Sequence, residues 1–248
     1  MILRRILLVC TFFIFLSSYA QDEVYELRIY HLKFGTQEKS LQDYFEKTLI
    51  PALNRQGISP VGAFEEVSQT LPKNIYLLIP YKNLNQYQET TAKLWADNQY
   101  TTAAATFWAI PPEKFPYTRY ESRFIQSTKG FPHIKKPADG SKFYELRTYE
   151  GYNEDALRRK LKMFNENEFG IFEAIDFPIV FFGKNISGDQ MPSLTYLLAT
   201  KDEAKNTEEW DQFGKNSVWQ RISGLEEYAN TVSNIDRVYL KPLSYSQL

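Results

Sequence analysis

The chain has almost no cysteine: one, Cys10, in 248 residues. It has only two histidines, His31 and His133. Neither sign of charge is in excess, with Lys+Arg 29 against Asp+Glu 30 and a formal net charge of -1. No apolar run reaches the roughly 20 residues that a membrane-spanning helix needs. Each shortage excludes something. A single cysteine cannot build a disulfide framework. Two histidines with no Cys/His/carboxylate spacing offer no zinc or iron site, so no metal is expected. A balanced charge argues against a nucleic-acid partner, which would call for a basic excess. What is abundant is apolar and aromatic: 43% hydrophobic residues, with Tyr 17 and Phe 18. That is ample for a globular core and excludes a disordered, collagenous or multi-pass membrane chain.

The first twenty residues read as a targeting segment. Arg4 and Arg5 precede an apolar stretch from Ile6 to Leu16. Ser18-Tyr19-Ala20 is a small-x-small cleavage site, after which Gln21-Asp22-Glu23 turns polar. This is the layout of a secretory signal peptide over residues 1–20. Cleavage would remove the only cysteine and leave no membrane span. The expected location is outside the cytoplasm, periplasmic or secreted.

The rest of the chain repeats itself. Tyr25-Glu26-Leu27-Arg28-Ile29-Tyr30 returns 119 residues later as Tyr144-Glu145-Leu146-Arg147-Thr148-Tyr149. A repeat unit this long is a domain duplication and not a solenoid. After the first copy, Leu41, Tyr44, Phe45, Leu49 and Leu53 follow helical spacing. Gly57 is placed to end that helix, and Pro51 to kink it. After the second copy, Leu157, Leu161, Phe164, Glu168 and Ile171-Phe172 give a similar, less clean stripe. Two strand-like segments, a second helix and a final strand follow in each half. Each half therefore reads βαββαβ, a ferredoxin-like unit. The expected division is 21–128 for the first unit, 129–142 for a Gly/Pro/Lys linker and 143–248 for the second. A ferredoxin-like sheet is covered by helices on one face only, so two tandem copies can bury their bare faces against each other. The expected fold class is α+β: two such units packed as an intramolecular dimeric α+β barrel.

Side chains alternate faces along a strand. The more apolar set, Tyr25, Leu27 and Ile29 with Tyr144, Leu146 and Thr148, is expected to pack on the helices. Glu26, Arg28, Tyr30, Glu145, Arg147 and Tyr149 should then face the barrel interior or its rim. Arg119, Glu121 and Arg123 share one face of the strand expected beside the first motif, and His31 directly follows that motif. Glu26, Arg28, Tyr30, Glu145, Arg147, Tyr149, Arg119, Arg123 and His31 are thus the candidate cavity residues. Two meanings stay open. The arginines could anchor an anionic or carbonyl-bearing ligand, or the Glu–Arg pairs could satisfy each other as internal ion pairs. No nucleophile elbow or phosphate-binding loop is present. Catalytic residues are not identified. Asn185-Ile186-Ser187 fits a glycosylation acceptor.

The duplicated Tyr-Glu-Leu-Arg-x-Tyr motif resembles the signature of the NIPSNAP family. So do Ile50-Pro51-Ala52-Leu53 with Gly57-Ile58-Ser59-Pro60-Val61-Gly62, Met163-Phe164-Asn165-Glu166, and Met191-Pro192-Ser193-Leu194-Thr195-Tyr196. The closing Val232-Ser233-Asn234-Ile235 and Leu243-Ser244-Tyr245-Ser246-Gln247-Leu248 are similar to its exported bacterial members. The resemblance implies ferredoxin-like domains in a dimeric α+β barrel, without a settled reaction. The wider superfamily holds cofactor-free oxygenases and haem enzymes. Haem would want an axial histidine, for which His31 and His133 are poor choices, so no cofactor is expected. Two function classes follow. One is a protein binding a small molecule or a partner protein through the barrel, with homo-oligomerisation open. The other is a cofactor-independent oxygenase or isomerase acting in the barrel cavity.

Overall fold

A computed structural model describes residues 23–35, 38–68 and 71–248; the segment expected to direct export lies outside the described residues. The sequence repeat is a repeat of whole elements. In the first half, β1 (Val24–Leu32) leads into α1 (Glu38–Tyr44), a π-turn (Phe45–Leu49) and α2 (Ile50–Arg55). Next come β2 (Gly62–Glu66), β3 (Asn74–Tyr81), α3 (Leu84–Ala96), α4 (Asn98–Trp108) and β4 (Tyr117–Ser127). The second half runs β5 (Phe143–Glu150), α5 (Glu154–Met163), a π-turn (Phe164–Glu168) and α6 (Phe169–Ala174). It ends with β6 (Ile179–Asn185), β7 (Ser193–Thr200), α7 (Glu203–Lys215), α8 (Ser217–Ile222), a 3-10 turn (Glu226–Tyr228) and β8 (Asn234–Pro242).

The 119-residue offset extends to the helix caps. Asn83 and Asp202 accept the first free amides of α3 and α7 from Gln86 and Lys205. Asp97 and Asn216 do the same for α4 and α8. Such caps satisfy amides that have no partner inside the helix. The offset then breaks, because α4 has 11 residues and α8 only 6. The π-turn stands just ahead of Pro51, but its twin in the second half has Gly170 at that place. The helix irregularity is therefore a property of the repeat and not of the proline. Gly57 and Asp176 both take left-handed backbone, at φ 77 and 56, and end the paired helices.

The eight strands of the described residues close into one antiparallel barrel, in the order β1-β3-β2-β8-β5-β7-β6-β4. The two sheets are joined edge to edge by β2 with β8 and by β4 with β6, so among the described residues no strand edge is left open. At the second seam Gly183 lets two backbones approach closely. A Cβ there would stand 2.3 Å from the Gln126 carbonyl oxygen.

The expected facing of the motif strands is reversed. Tyr25, Leu27, Ile29, Tyr144 and Leu146 point into the barrel, with Phe64, Leu78, Ile125, Phe181 and Leu197. Tyr30 instead packs with Phe45 and Leu41 under the first pair of helices, and Tyr149 with Phe164 and Phe213 under the second. Glu26, Arg28, Glu145 and Arg147 go with them. The cause is closure. In an open sheet the helix-covered face is the driest place, and the more apolar set belongs there. In a closed barrel the interior is more enclosed still, and it draws that set inward. The helix layer keeps polar groups that can meet a carboxylate. Asn185 is buried and donates to Ser193 Oγ at 2.7 Å, so it does not present a glycosylation acceptor.

Candidate functional site

The two copies of the motif make different ion pairs. In the first half, Arg28 closes on Glu26 with two bonds from one edge of its guanidinium, Nε to Oε1 at 2.7 Å and Nη2 to Oε2 at 2.9 Å. Ser122 Oγ and Tyr81 Oη also donate to Glu26, at 2.7 and 3.3 Å. In the second half, Trp210 Nε1 and Asn206 Nδ2 from α7 occupy Glu145 Oε2, at 2.6 and 3.1 Å. Arg147 gives Glu145 a single bond, Nη1 to Oε1 at 2.8 Å. Its Nε is buried and has no hydrogen-bond partner among the described residues. Thr91 and Tyr87 stand at the repeat positions of Trp210 and Asn206. The difference therefore lies in the helix and not in the strand motif.

Arg147 borders a cavity of about 430 Å³ between sheet and helices, walled by Tyr149, Trp210, Phe213 and Trp219. Two charged side chains complete it, one on α5 and one at the end of the π-turn that follows. Lys160 donates to Glu168 Oε1 at 2.6 Å, and both are buried. The Lys160 ammonium lies over the rings of Phe164, Tyr149 and Trp219, at 4.9, 5.5 and 5.6 Å. The Arg147 guanidinium lies over Trp210 at 4.1 Å. Such cation–ring contacts hold a desolvated cation in place. Burial pushes the Glu168 carboxyl above its ordinary range, against the opposing charge of Lys160. Glu168 Oε2 takes no hydrogen bond among the described residues.

The repeat explains why a cavity stands here. Lys160 and Glu168 occupy the positions of Leu41 and Leu49, both fully buried core leucines. Tyr44, at the place of Met163, stacks on Phe107 at 4.4 Å and meets Tyr100 Oη at 2.6 Å. The shorter α8 has no residue to match Phe107. An apolar filling in one half thus becomes a charged, open site in the other.

Of the residues expected from sequence, Arg147 and Tyr149 line this cavity, and Glu145 holds Arg147 from behind. Glu26, Arg28 and Tyr30 form the closed counterpart in the first half. Arg119 is exposed. Arg123 and His31 are elsewhere, in a smaller cup of about 160 Å³ at one end of the barrel. There His31 Nε2 meets Glu121 Oε1 at 2.7 Å, and Arg123 Nη2 donates to Glu121 Oε2 at 3.0 Å. Lys160, Glu168, Trp210 and Trp219 were not singled out as site residues. The available signal was a lysine and a glutamate replacing leucines at matched repeat positions, visible once the halves are aligned through their helices. No histidine lines the cavity: His31 is in the barrel and His133 beside Glu23. Among the described residues no helix is long and apolar enough to cross a membrane.

The profile of the NIPSNAP family matches residues 25–110 and 144–247. The chain is a member of the NIPSNAP family. No curated protein matches this NIPSNAP chain. Among solved structures, it is similar to a provisionally assigned monooxygenase from Lactobacillus acidophilus, with TM-score 0.58 and 12% identity over 89% of this chain and 94% of that one. A second provisionally assigned monooxygenase, from Fusobacterium nucleatum, gives 0.55 and 12%, over 90% and 93%. A chlorite dismutase mutant from Candidatus Nitrospira defluvii gives 0.50 and 8%, over 90% and 92%. At these identities the NIPSNAP chain shares their fold, the dimeric α+β barrel.

Proposed function

We propose that this NIPSNAP protein binds a compact, apolar, anionic small molecule in the helix-side cavity of its second half. The observation that carries the reading is the open fork of Arg147. A buried guanidinium edge without an acceptor is costly, and a bidentate or edge-on carboxylate is its natural partner. Aromatic walls and a few convergent polar groups are the ordinary make-up of a small-molecule site. The enzyme alternative read from sequence moves with the cavity, from the barrel interior to the helix side.

Trp210 and Trp219 supply the readout. Cinnamate should change tryptophan fluorescence saturably, and cinnamyl alcohol should bind at least tenfold more weakly. Arg147→Gln should cost cinnamate about ten- to a hundredfold, as loss of a charge-assisted hydrogen bond does. Equal binding of acid and alcohol, or no saturation at millimolar acid, would remove the reading.

We also propose that the protein works outside the cytoplasm, on the charged, apolar and small-x-small order of residues 1–20. Mass spectrometry of the mature N-terminus should find Gln21 first. A cytoplasmic chain still beginning at Met1 is the contrary result.

A further inference from the structure

We infer that the helix-side cavity of the second half is a proton-transfer site for 2-oxo acids or related carbon acids, with Glu168 as the base and Lys160 and Arg147 as the cations that hold the enolate. This rests on the anion-binding reading of the same cavity and adds a reaction to it. Three features of the geometry carry it. Glu168 is buried in the cavity wall with Oε2 unbonded. Lys160 orients the carboxylate through Oε1 at 2.6 Å, so one oxygen is fixed and the other is left to act. Arg147 and Lys160 both border the same cavity, where negative charge that develops on a substrate oxygen would be met by cations already in place.

The chemistry balances without a further reactant. The proton on the carbon beside the carbonyl passes to Glu168 Oε2. The C–H electron pair becomes the C=C bond, and the carbonyl π pair moves onto oxygen as an enolate held by the cations. Return of the proton to carbon or to oxygen restores the ketone or releases the enol. A carboxylate in water is a weak base toward carbon. Burial raises the basicity of Glu168, the direction that strengthens a general base. The aromatic walls suit an aryl or otherwise unsaturated substituent, whose conjugation acidifies the carbon to be deprotonated.

Phenylpyruvate tests this. It carries a carboxylate, a 2-oxo group, an acidic benzylic CH₂ and a ring. In deuterated buffer the protein should speed exchange of the benzylic protons, followed by proton NMR, and tryptophan fluorescence should report binding in the same samples. Glu168→Gln should keep binding within a few-fold and lose at least a hundredfold in exchange, the usual weight of a general base. If Glu168→Gln does not fold, the double variant Lys160→Leu/Glu168→Leu provides the check, because it copies the packing of the first half. It should fold and give no catalysed exchange. Binding without faster exchange in the native protein overturns the proton-transfer inference and leaves the binding reading standing. Exchange that persists in the folded double variant also overturns it. Failure of phenylpyruvate to bind at millimolar concentration removes both.

Discussion

Replacing Lys160 and Glu168 together by leucine is expected to stabilise the protein, by about 1–4 kcal/mol. Replacing Glu168 alone by leucine is expected to destabilise it by about 3–5 kcal/mol. The opposite signs have one cause. Both side chains are buried, and their mutual attraction must offset the loss of water around each. A buried ion pair seldom does better than apolar groups of similar size, but a buried ammonium without its carboxylate is worse than either. The first half shows that the apolar solution fits, since Leu41 and Leu49 fill the same repeat positions. The pH dependence follows from Glu168. Burial raises its carboxyl above the ordinary range, more than Lys160 lowers it. The folded chain therefore holds that proton to higher pH than the unfolded chain does. Its contribution to stability is full below the ordinary carboxylate range and is lost as pH rises through the raised folded value. The double variant should lack this fall. Urea melts of the native protein, the single and the double variant between pH 4 and 8 measure both effects. A double variant less stable than the native protein would mean that the pair is favourable in its own right.

Arg28→Ala should lower stability by roughly 3–5 kcal/mol, since it strips two charge-assisted bonds from a buried carboxylate. Ser122 and Tyr81 still donate to Glu26, but neither brings a positive charge. Adding Glu26→Ala should return part of the loss, because the uncompensated group is then gone. Arg147→Ala should cost less, about 1.5–3 kcal/mol, because a single bond to Glu145 is lost and Trp210 and Asn206 remain. Thermal melts of the three variants test the ordering. Equal losses at Arg28 and Arg147 would contradict the difference between a closed pair and an open one, on which the assignment of the site to the second half depends.

The element order was legible because it rests on local patterns. Alternating strands, 3.6-residue stripes and a motif copied at a fixed offset are visible in one dimension, and each has its counterpart in the barrel. The pairing of Arg28 with Glu26 and of Arg147 with Glu145 was legible for the same reason, since residues two apart on a strand share a face. Which face that is was not legible. Both faces of β1 and β5 are buried, and hydrophobicity alone ranks the two sets without saying which environment is drier.

The sequence by itself determined the duplication, the βαββαβ order, the α+β class and the family. It did so because periodicity and repetition constrain neighbours along the chain. The tertiary structure decided three things that depend on neighbours far apart in it. Closure of the two sheets turned the apolar face of each motif strand inward. Trp210 and Asn206, more than sixty residues beyond Glu145, took one of its oxygens and left Arg147 an open edge. A shorter α8 and the pair Lys160–Glu168 opened in the second half the space that aromatic and leucine side chains fill in the first. Two strand motifs that share their Glu, Arg and both Tyr thus became one structural ion pair and one site, because a side chain's chemistry is set by what long-range packing brings to it.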